Sequence, residues 1–243
     1  MTTSAAVLSL ALAIGACTSA FRLIDAILLR PLPVAAPEQL YSVWRVGASP
    51  VDGTVYKTSE WAYPSFQLMR AAAKGQAELL AVSFVEPMDV TYKSDAEMEK
   101  ATCSTSRAGC SIRLDCALPR AVYLTDDDDS KPRAHPYAVI SYEYWERRFG
   151  RDVHTVGRSF QLGQDFFQIV GVGPKSFTGT QTGTVTDIFL PTMMHPAVTH
   201  DDWTWHRTLV RGETGRGDGT AARQVGRHGR WPSSGSARRV SKA

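Results

Sequence analysis

The stretch VGRSFQLGQDFFQIVGVGP, from Val156 to Pro174, carries the clearest folding signal in the sequence. Apolar and polar residues alternate on both sides of the Gly163-Gln164-Asp165 triplet, which is the pattern of two half-buried strands joined by a tight turn. Glycine suits such a turn because it adopts backbone angles that other residues avoid. The stretch therefore predicts a β-hairpin.

The segment PYAVISYEYWERRFG, from Pro136 to Gly150, lies just upstream and changes from a strand pattern to a helix pattern. Ala138 to Ile140 predicts a short strand, because three apolar residues follow one another there. Ser141 is a typical residue for the start of a helix, and Gly150 for its end. Three aromatic residues between them recur at helical spacing and are predicted to share one face of the helix: Tyr142, Trp145 and Phe149.

The rest of the chain repeats this mixture of strands and helices. Glu38 to Val46 predicts a strand, and Tyr63 to Lys74 predicts a helix that opens on Pro64. Glu78 to Tyr92 predicts β-structure broken at Pro87. Residues 186–191 predict another short buried strand. Together these patterns predict an α+β domain.

The N-terminal stretch AAVLSLALAIGACTSAFRLIDAILLRPLPV, residues 5–34, predicts a membrane helix that continues as a stalk. No charge occurs between Met1 and Phe21, and a helix needs roughly 20 such residues to cross a bilayer. Residues 5–29 would contact lipid. Pro31 and Pro33 end the stalk, because proline cannot continue a helix.

Three other interpretations of this stretch stay open. It has the apolar length of a cleaved signal peptide, although no basic residue precedes it. The residues from Ile14 to Cys17 resemble a lipoprotein processing site. A buried core helix is the remaining alternative, and it alone would not send the chain to a membrane.

Charge is unevenly distributed along the 243 residues. Arg211 to Ala243 holds eight Lys and Arg against two acids, a net +6, whereas the preceding residues sum to −3. The body therefore has no basic surface of the kind that binds nucleic acid. The tail lacks Leu, Ile and Phe, so it predicts disorder.

Sequence motifs exclude several common enzyme classes. The chain has no P-loop, no G-x-S-x-G and no H-E-x-x-H. A metal site could be built from the polar residues near the end of the body, but their spacing fits no standard pattern: His195, His200, Asp201, Asp202 and His206. We expect these residues to lie at the surface. The run Asp126 to Asp129 lacks the spacing of a calcium loop and predicts a solvated turn.

Three segments in this order resemble permeases of the MacB/FtsX-type ABC transporters, notably the acidobacterial type. Residues 6–34 resemble the first membrane helix and stalk, WAYPSFQLMR resembles the opening helix of the extracytoplasmic core domain, and residues 138–180 resemble its final helix and hairpin. TDIFLPTMM fits the strand that follows. The resemblance covers residues 5–100 and 124–210.

The resemblance implies a non-enzymatic membrane protein without catalytic, cofactor or metal residues. It implies a separate ABC ATPase subunit, a location in the cell inner membrane, and an extracytoplasmic domain that passes ATPase-driven motion to a periplasmic partner or substrate. The resemblance also allows a second copy of the chain as a partner, which would make a homodimer. We expect no nucleic-acid partner, because the body lacks a basic surface.

Two segments depart from the family pattern. Residues 103–123, CSTSRAGCSIRLDCALPRAVY, show no helical or strand period, and residues 211–243 replace the expected further domain and three membrane helices. We expect both to be translated out of frame, which would make the chain a truncated permease. The alternatives are a metal-binding cluster of Cys103, Cys110 and Cys116, and a nucleic-acid-binding tail.

The sequence therefore predicts three regions. Residues 1–34 form a transmembrane helix and stalk, residues 35–210 a MacB-like periplasmic core domain of mixed α/β structure with a C-terminal hairpin, and residues 211–243 a disordered basic tail. The competing functional class is an anchored or secreted periplasmic binding protein or metal-dependent enzyme, with His195, His200 and Asp201 as its site.

Overall fold

The computed structural model describes residues 2–25, 40–49, 51–92, 98–106, 130–175, 177–211 and 238–242. These residues include three α-helices: α1 Thr2–Ile24, α2 Tyr63–Ala73 and α3 Tyr142–Phe149. The first six strands are β1 Leu40–Ala48, β2 Val55–Thr58, β3 Glu60–Trp61, β4 Glu78–Ser83, β5 Glu86–Tyr92 and β6 Met98–Ser106. The other six are β7 Tyr137–Ile140, β8 Ser159–Leu162, β9 Asp165–Val172, β10 Ile188–Pro191, β11 His206–Arg211 and β12 Arg238–Lys242.

Six of these strands form a closed ring. Their order around it is β5, β6, β10, β7, β9 and β8, and β8 pairs with β5 to complete the circle. The β6–β10 and β7–β9 pairs are parallel, and the other four are antiparallel. A closed ring leaves none of its own strands with a free edge, so all six are held by hydrogen bonds on both sides.

The predicted hairpin is confirmed as β8 and β9 of this ring. Phe160 pairs with Phe167 across it, and their rings stack with centroids 5.8 Å apart. Gly163 takes the turn with a φ of 61°, an angle that suits glycine. Burying the inward residues of both strands supplies much of the apolar core of the ring.

Helix α3 contributes to the same core, and its predicted ends are confirmed. The Ser141 hydroxyl accepts a hydrogen bond from the Tyr144 backbone N–H, and Gly150 ends the helix in the left-handed conformation. Tyr144 and Trp145 are buried among the core residues of the ring. Tyr142 and Phe149 pack at its margin.

The second core lies where α2 packs against β1, β4 and β11. Phe66 and Met69 of α2 are fully buried against apolar residues of these strands, including Leu79 and Val210. Strand β11 lies between β4 and β1 and pairs antiparallel with both. The chain therefore brings a strand from near its start and one from the end of the body to the same sheet.

The predicted break at Pro87 is wrong. Pro87 lies inside β5, opposite Thr102, and the interruption falls instead between Ser83 and Glu86. There the Ser83 hydroxyl accepts a hydrogen bond from the Thr105 backbone N–H at 2.8 Å. The side chain thus satisfies a backbone donor at the point where β6 exchanges β5 for β4 as its neighbour.

The two atypical segments are partly within the described residues. Residues 103–106 complete β6, so they form a strand although no strand period was expected there. Arg238–Lys242 pair with β1 as β12, which differs from the disorder predicted for the tail. Residues 107–123 and 212–237, with the Asp126–Asp129 run and the stalk beyond Asp25, lie outside the described residues, and the out-of-frame origin stays a prediction.

Helix α1 begins and ends close to the predicted membrane segment. Among the residues that the structure describes, no helix combines the length and apolar character that a membrane span requires.

Asp187 fixes the position where the ring closes. Its carboxylate accepts hydrogen bonds from the Thr102 backbone N–H at 3.0 Å and from the Thr102 hydroxyl at 2.9 Å. Arg147 of α3 lies 2.9 Å from the other carboxylate oxygen. The Asp187 side chain is only 8% exposed. One carboxylate therefore joins β6, the start of β10 and α3.

Replacing this carboxylate should weaken the fold more than removing its exposed cation. We expect Asp187→Ala to lower the free energy of unfolding by about 2 to 3 kcal/mol, because the Thr102 donors lose their acceptor. Arg147→Ala should cost about 1 kcal/mol or less, because that side chain is 60% exposed. Urea unfolding of the two variants measures the difference, and equal losses would contradict this role of Asp187.

Candidate functional site

The predicted polar residues lie between two short 3-10 turns, in the loop that follows them, and at the start of the next strand. His195 lies between the turns Thr192–Met194 and Pro196–Thr199, and His206 begins β11. His200, Asp201 and Asp202 are exposed as expected. His206, in contrast, is fully buried and His195 is half-buried, so the prediction that all of them lie at the surface is wrong for these two.

His206 lies in an aromatic environment. Its ring meets Phe66 edge-on at 5.6 Å between centroids and Trp205 at 4.8 Å. Neither ring nitrogen has a hydrogen-bond partner within the described residues. Burial lowers the pKa of His206 to about 3, with a further contribution from nearby His195. The imidazole is therefore neutral at ordinary pH.

His195 is held by a stack and by one backbone hydrogen bond. Its ring lies parallel to Trp205, with centroids 3.8 Å apart and planes 6° from each other. Its Nδ1 accepts a hydrogen bond from the Ala197 backbone N–H at 3.1 Å. Burial lowers the pKa of His195 to about 4. Nδ1 is thus already used as an acceptor, which leaves it poorly placed to bind a metal ion.

The arrangement separates the residues that the rival metal site requires. His195 stacks on Trp205, whereas His200 stacks on Trp203 with centroids 4.1 Å apart. Among the described residues, no three His, Cys, Asp or Glu side chains are grouped so that they could hold a metal ion. The residues of the turns and of β11 therefore form an aromatic packing unit with an exposed loop beside it.

A polar network between β5, β6 and α3 escaped prediction from the sequence. The Tyr144 hydroxyl donates to the Glu99 carboxylate and lies 3.1 Å from the Tyr92 hydroxyl. Arg148 lies 2.9 Å from the other oxygen of Glu99. Burial raises the pKa of Tyr92 to about 12 and raises that of Tyr144 further. Both phenols stay protonated and act as hydrogen-bonding groups.

Cys103 is a core residue of the ring. Its side chain is 4% exposed, and burial raises the pKa of its thiol to about 12, with a smaller contribution from Asp187. A thiol reacts or binds metal as the thiolate, so this environment suits packing and not chemistry. Cys110 and Cys116, the other members of the predicted cluster, lie outside the described residues.

The family of the chain follows from its sequence. The family model of the MacB-like periplasmic core domain matches residues 3–227. The chain belongs to this family. The matched range spans both residues 103–123 and the start of the basic tail. No curated protein shows significant sequence similarity to the chain.

Solved structures show the same fold as this chain at low sequence identity. The extracellular domain of the noncanonic ABC-type transporter YknZ from Gram-positive bacteria matches with a TM-score of 0.54 and 14% identity, covering 76% of this chain and 92% of that one. A domain of a permease protein from Porphyromonas gingivalis matches with a TM-score of 0.54 and 16% identity, covering 76% of this chain and 77% of that one. The periplasmic region of MacB from Actinobacillus actinomycetemcomitans matches with a TM-score of 0.55 and 9% identity, covering 83% of each chain.

The buried histidine predicts a loss of stability in mild acid. The unfolded chain binds a proton on His206 near pH 6.5, whereas the folded chain does not until about pH 3. The unfolded state is therefore favoured as the pH falls through this window, by about 2 kcal/mol between pH 7 and pH 5. Burial also lowers the pKa of His195, to about 4, so His195 adds a comparable dependence. We therefore expect His206→Phe to remove roughly half of the total dependence seen in urea unfolding. His200→Gln, at an exposed position, is the control and should leave the dependence unchanged.

The environment of Cys103 predicts slow thiol modification. We expect iodoacetamide to leave Cys103 unlabelled in the folded chain at pH 8 and to label it fully in urea, because only the unfolded chain exposes the thiol. Peptide mapping by mass spectrometry separates Cys103 from the other cysteines. Rapid labelling of Cys103 under native conditions would show that this part of β6 is not in the ring.

Proposed function

We propose that the chain is the extracytoplasmic module of an ABC transporter permease, attached to the inner membrane through its N-terminal segment. It works with a separate ATPase subunit, binds a partner or substrate outside the membrane, and passes on the motion that ATP hydrolysis drives. The observation that carries this proposal is the family match over residues 3–227. The fold shared with MacB and YknZ domains supports it.

The connectivity of the sheet suits a part that transmits motion. Strand β1 is the first strand after α1 among the described residues, and hydrogen-bonded pairs lead from it through β11 and β4 to β6. From β6 the pairing continues around the closed ring. We infer that a displacement applied to β1 reaches the ring through these backbone hydrogen bonds, with the pair Val82 and Ser106 linking β4 to β6.

The polar clusters support a role that is not enzymatic. His206 and Cys103 are buried, and the Tyr92, Tyr144 and Glu99 network joins α3 to the ring. Each of these groups stabilises the fold, by packing or by hydrogen bonds. The rival function, a secreted binding protein or metal-dependent enzyme, needs His195, His200 and Asp201 to act together, and the two imidazoles stack instead on different tryptophans.

Membrane attachment can be tested with the full chain and a variant lacking residues 2–24. We expect the full chain to keep its complete mass and to stay in the membrane fraction after alkaline carbonate, because the anchor is retained. The shortened variant should be soluble. A full chain that loses its N-terminal residues and appears in the soluble extracytoplasmic fraction with stoichiometric metal would favour the rival function.

The ATPase partner can be tested in the same cells. We expect formaldehyde crosslinking followed by affinity isolation to recover an ABC ATPase subunit with the full chain. The variant without residues 2–24 should lose it, because the ATPase meets the permease at the membrane. Recovery of no ATPase from correctly anchored chain would contradict the coupling part of the proposal.

A further inference from the structure

The loop from His200 to Trp205 presents an indole ring to solvent in a fixed orientation. The Trp203 side chain is 53% exposed. One face of its ring lies against the His200 imidazole, with centroids 4.1 Å apart and planes 9° from each other. The stack orders the indole and leaves the opposite face open. An exposed tryptophan held in this way offers a large, rigid contact surface.

Three carboxylates accompany this indole. Asp201 and Asp202 directly precede Trp203, are exposed, and make no hydrogen bond or ion pair in the described part of the chain. The Thr204 hydroxyl donates to the Glu60 carboxylate at 3.4 Å, which brings a third acid to the loop. The surface thus combines negative charge with an open aromatic face.

This combination is complementary to a cation. Elsewhere the chain itself fills such a position: Lys57 lies 4.3 Å from the Trp44 ring centre, and the Arg45 guanidinium lies 5.9 Å from that of Trp61. An arginine side chain fits the open face of Trp203 best, because its planar guanidinium stacks on an aromatic ring and donates several hydrogen bonds to carboxylates. Lysine offers no such plane.

We propose that Trp203, together with Asp201, Asp202 and Glu60, binds an arginine side chain on a positively charged segment of a partner protein. The inference rests on the proposed function, in which the domain meets a partner outside the membrane. It adds the chemistry of that partner. Trp203 supplies the stacking surface, and the carboxylates attract and orient the guanidinium.

The test uses the purified full chain and the peptide acetyl-Gly-Arg-Gly-Arg-Gly-amide. A peptide with citrulline in place of arginine is the matched probe, because citrulline has nearly the same shape without the charge. We expect saturable binding of the arginine peptide and at least tenfold weaker binding of the citrulline peptide. Trp203→Ala should weaken arginine binding about tenfold. Phe166→Ala, at an equally exposed aromatic residue, should leave binding unchanged.

A second variant keeps the test independent of any folding defect. Asp201→Asn with Asp202→Asn changes only exposed side chains and should weaken binding several-fold. Absence of saturable binding at millimolar peptide overturns the inference, as does equal binding by Trp203→Ala and the unchanged chain. Membrane attachment and ATPase recovery do not depend on these residues. If the chain is attached to the membrane and recovers the ATPase but does not bind the arginine peptide, only this inference is overturned.

Discussion

Closure of the six-stranded ring by the parallel pairing of β6 with β10 is the constraint on which the structure depends. The two strands lie far apart in sequence, and their register places Cys103 opposite Ile188. Thr102 and Asp187 lie one residue earlier and exchange backbone and side-chain hydrogen bonds at 2.8 to 3.0 Å. Without the pairing of β6 with β10, the ring would be open between these two strands, and its core would be exposed to water.

Strand β6 joins the ring to the sheet that packs against α2. Strand β6 pairs with β5 along most of its length and with β4 at its end, where Val82 lies opposite Ser106. The Ser83 hydroxyl accepts from the Thr105 backbone N–H at this exchange, so that backbone donor is satisfied, whereas the buried Thr105 hydroxyl has no partner among the described residues. His206, whose ring nitrogens have no hydrogen-bond partner in the described part of the chain, lies on β11 opposite Ser83.

Sequence patterns predicted the local elements and failed where distant strands decide the outcome. The β8–β9 hairpin and the caps of α3 depend on neighbouring residues, so alternation, Ser141 and Gly150 were sufficient. The strand at residues 103–106 is held by β10 and, at Ser106, by β4, and no local pattern reveals these distant neighbours. His206 reads as a surface residue in sequence, and only the packing of α2 onto β11 buries it. The loop around Trp203 offered no signal beyond its acids.

Low sequence identity together with a shared fold shows that few individual residues are needed to specify this architecture. Relatives that share 9 to 16% of their residues keep the fold over most of the chain. Such divergence is tolerated when a core needs only apolar residues of suitable volume and a few fixed polar contacts. Side chains on exposed loops are freer to vary than core side chains, because packing does not constrain them. Trp203 and the acids beside it lie on such an exposed loop, which is why the proposed arginine-binding surface can differ between relatives without disturbing the core.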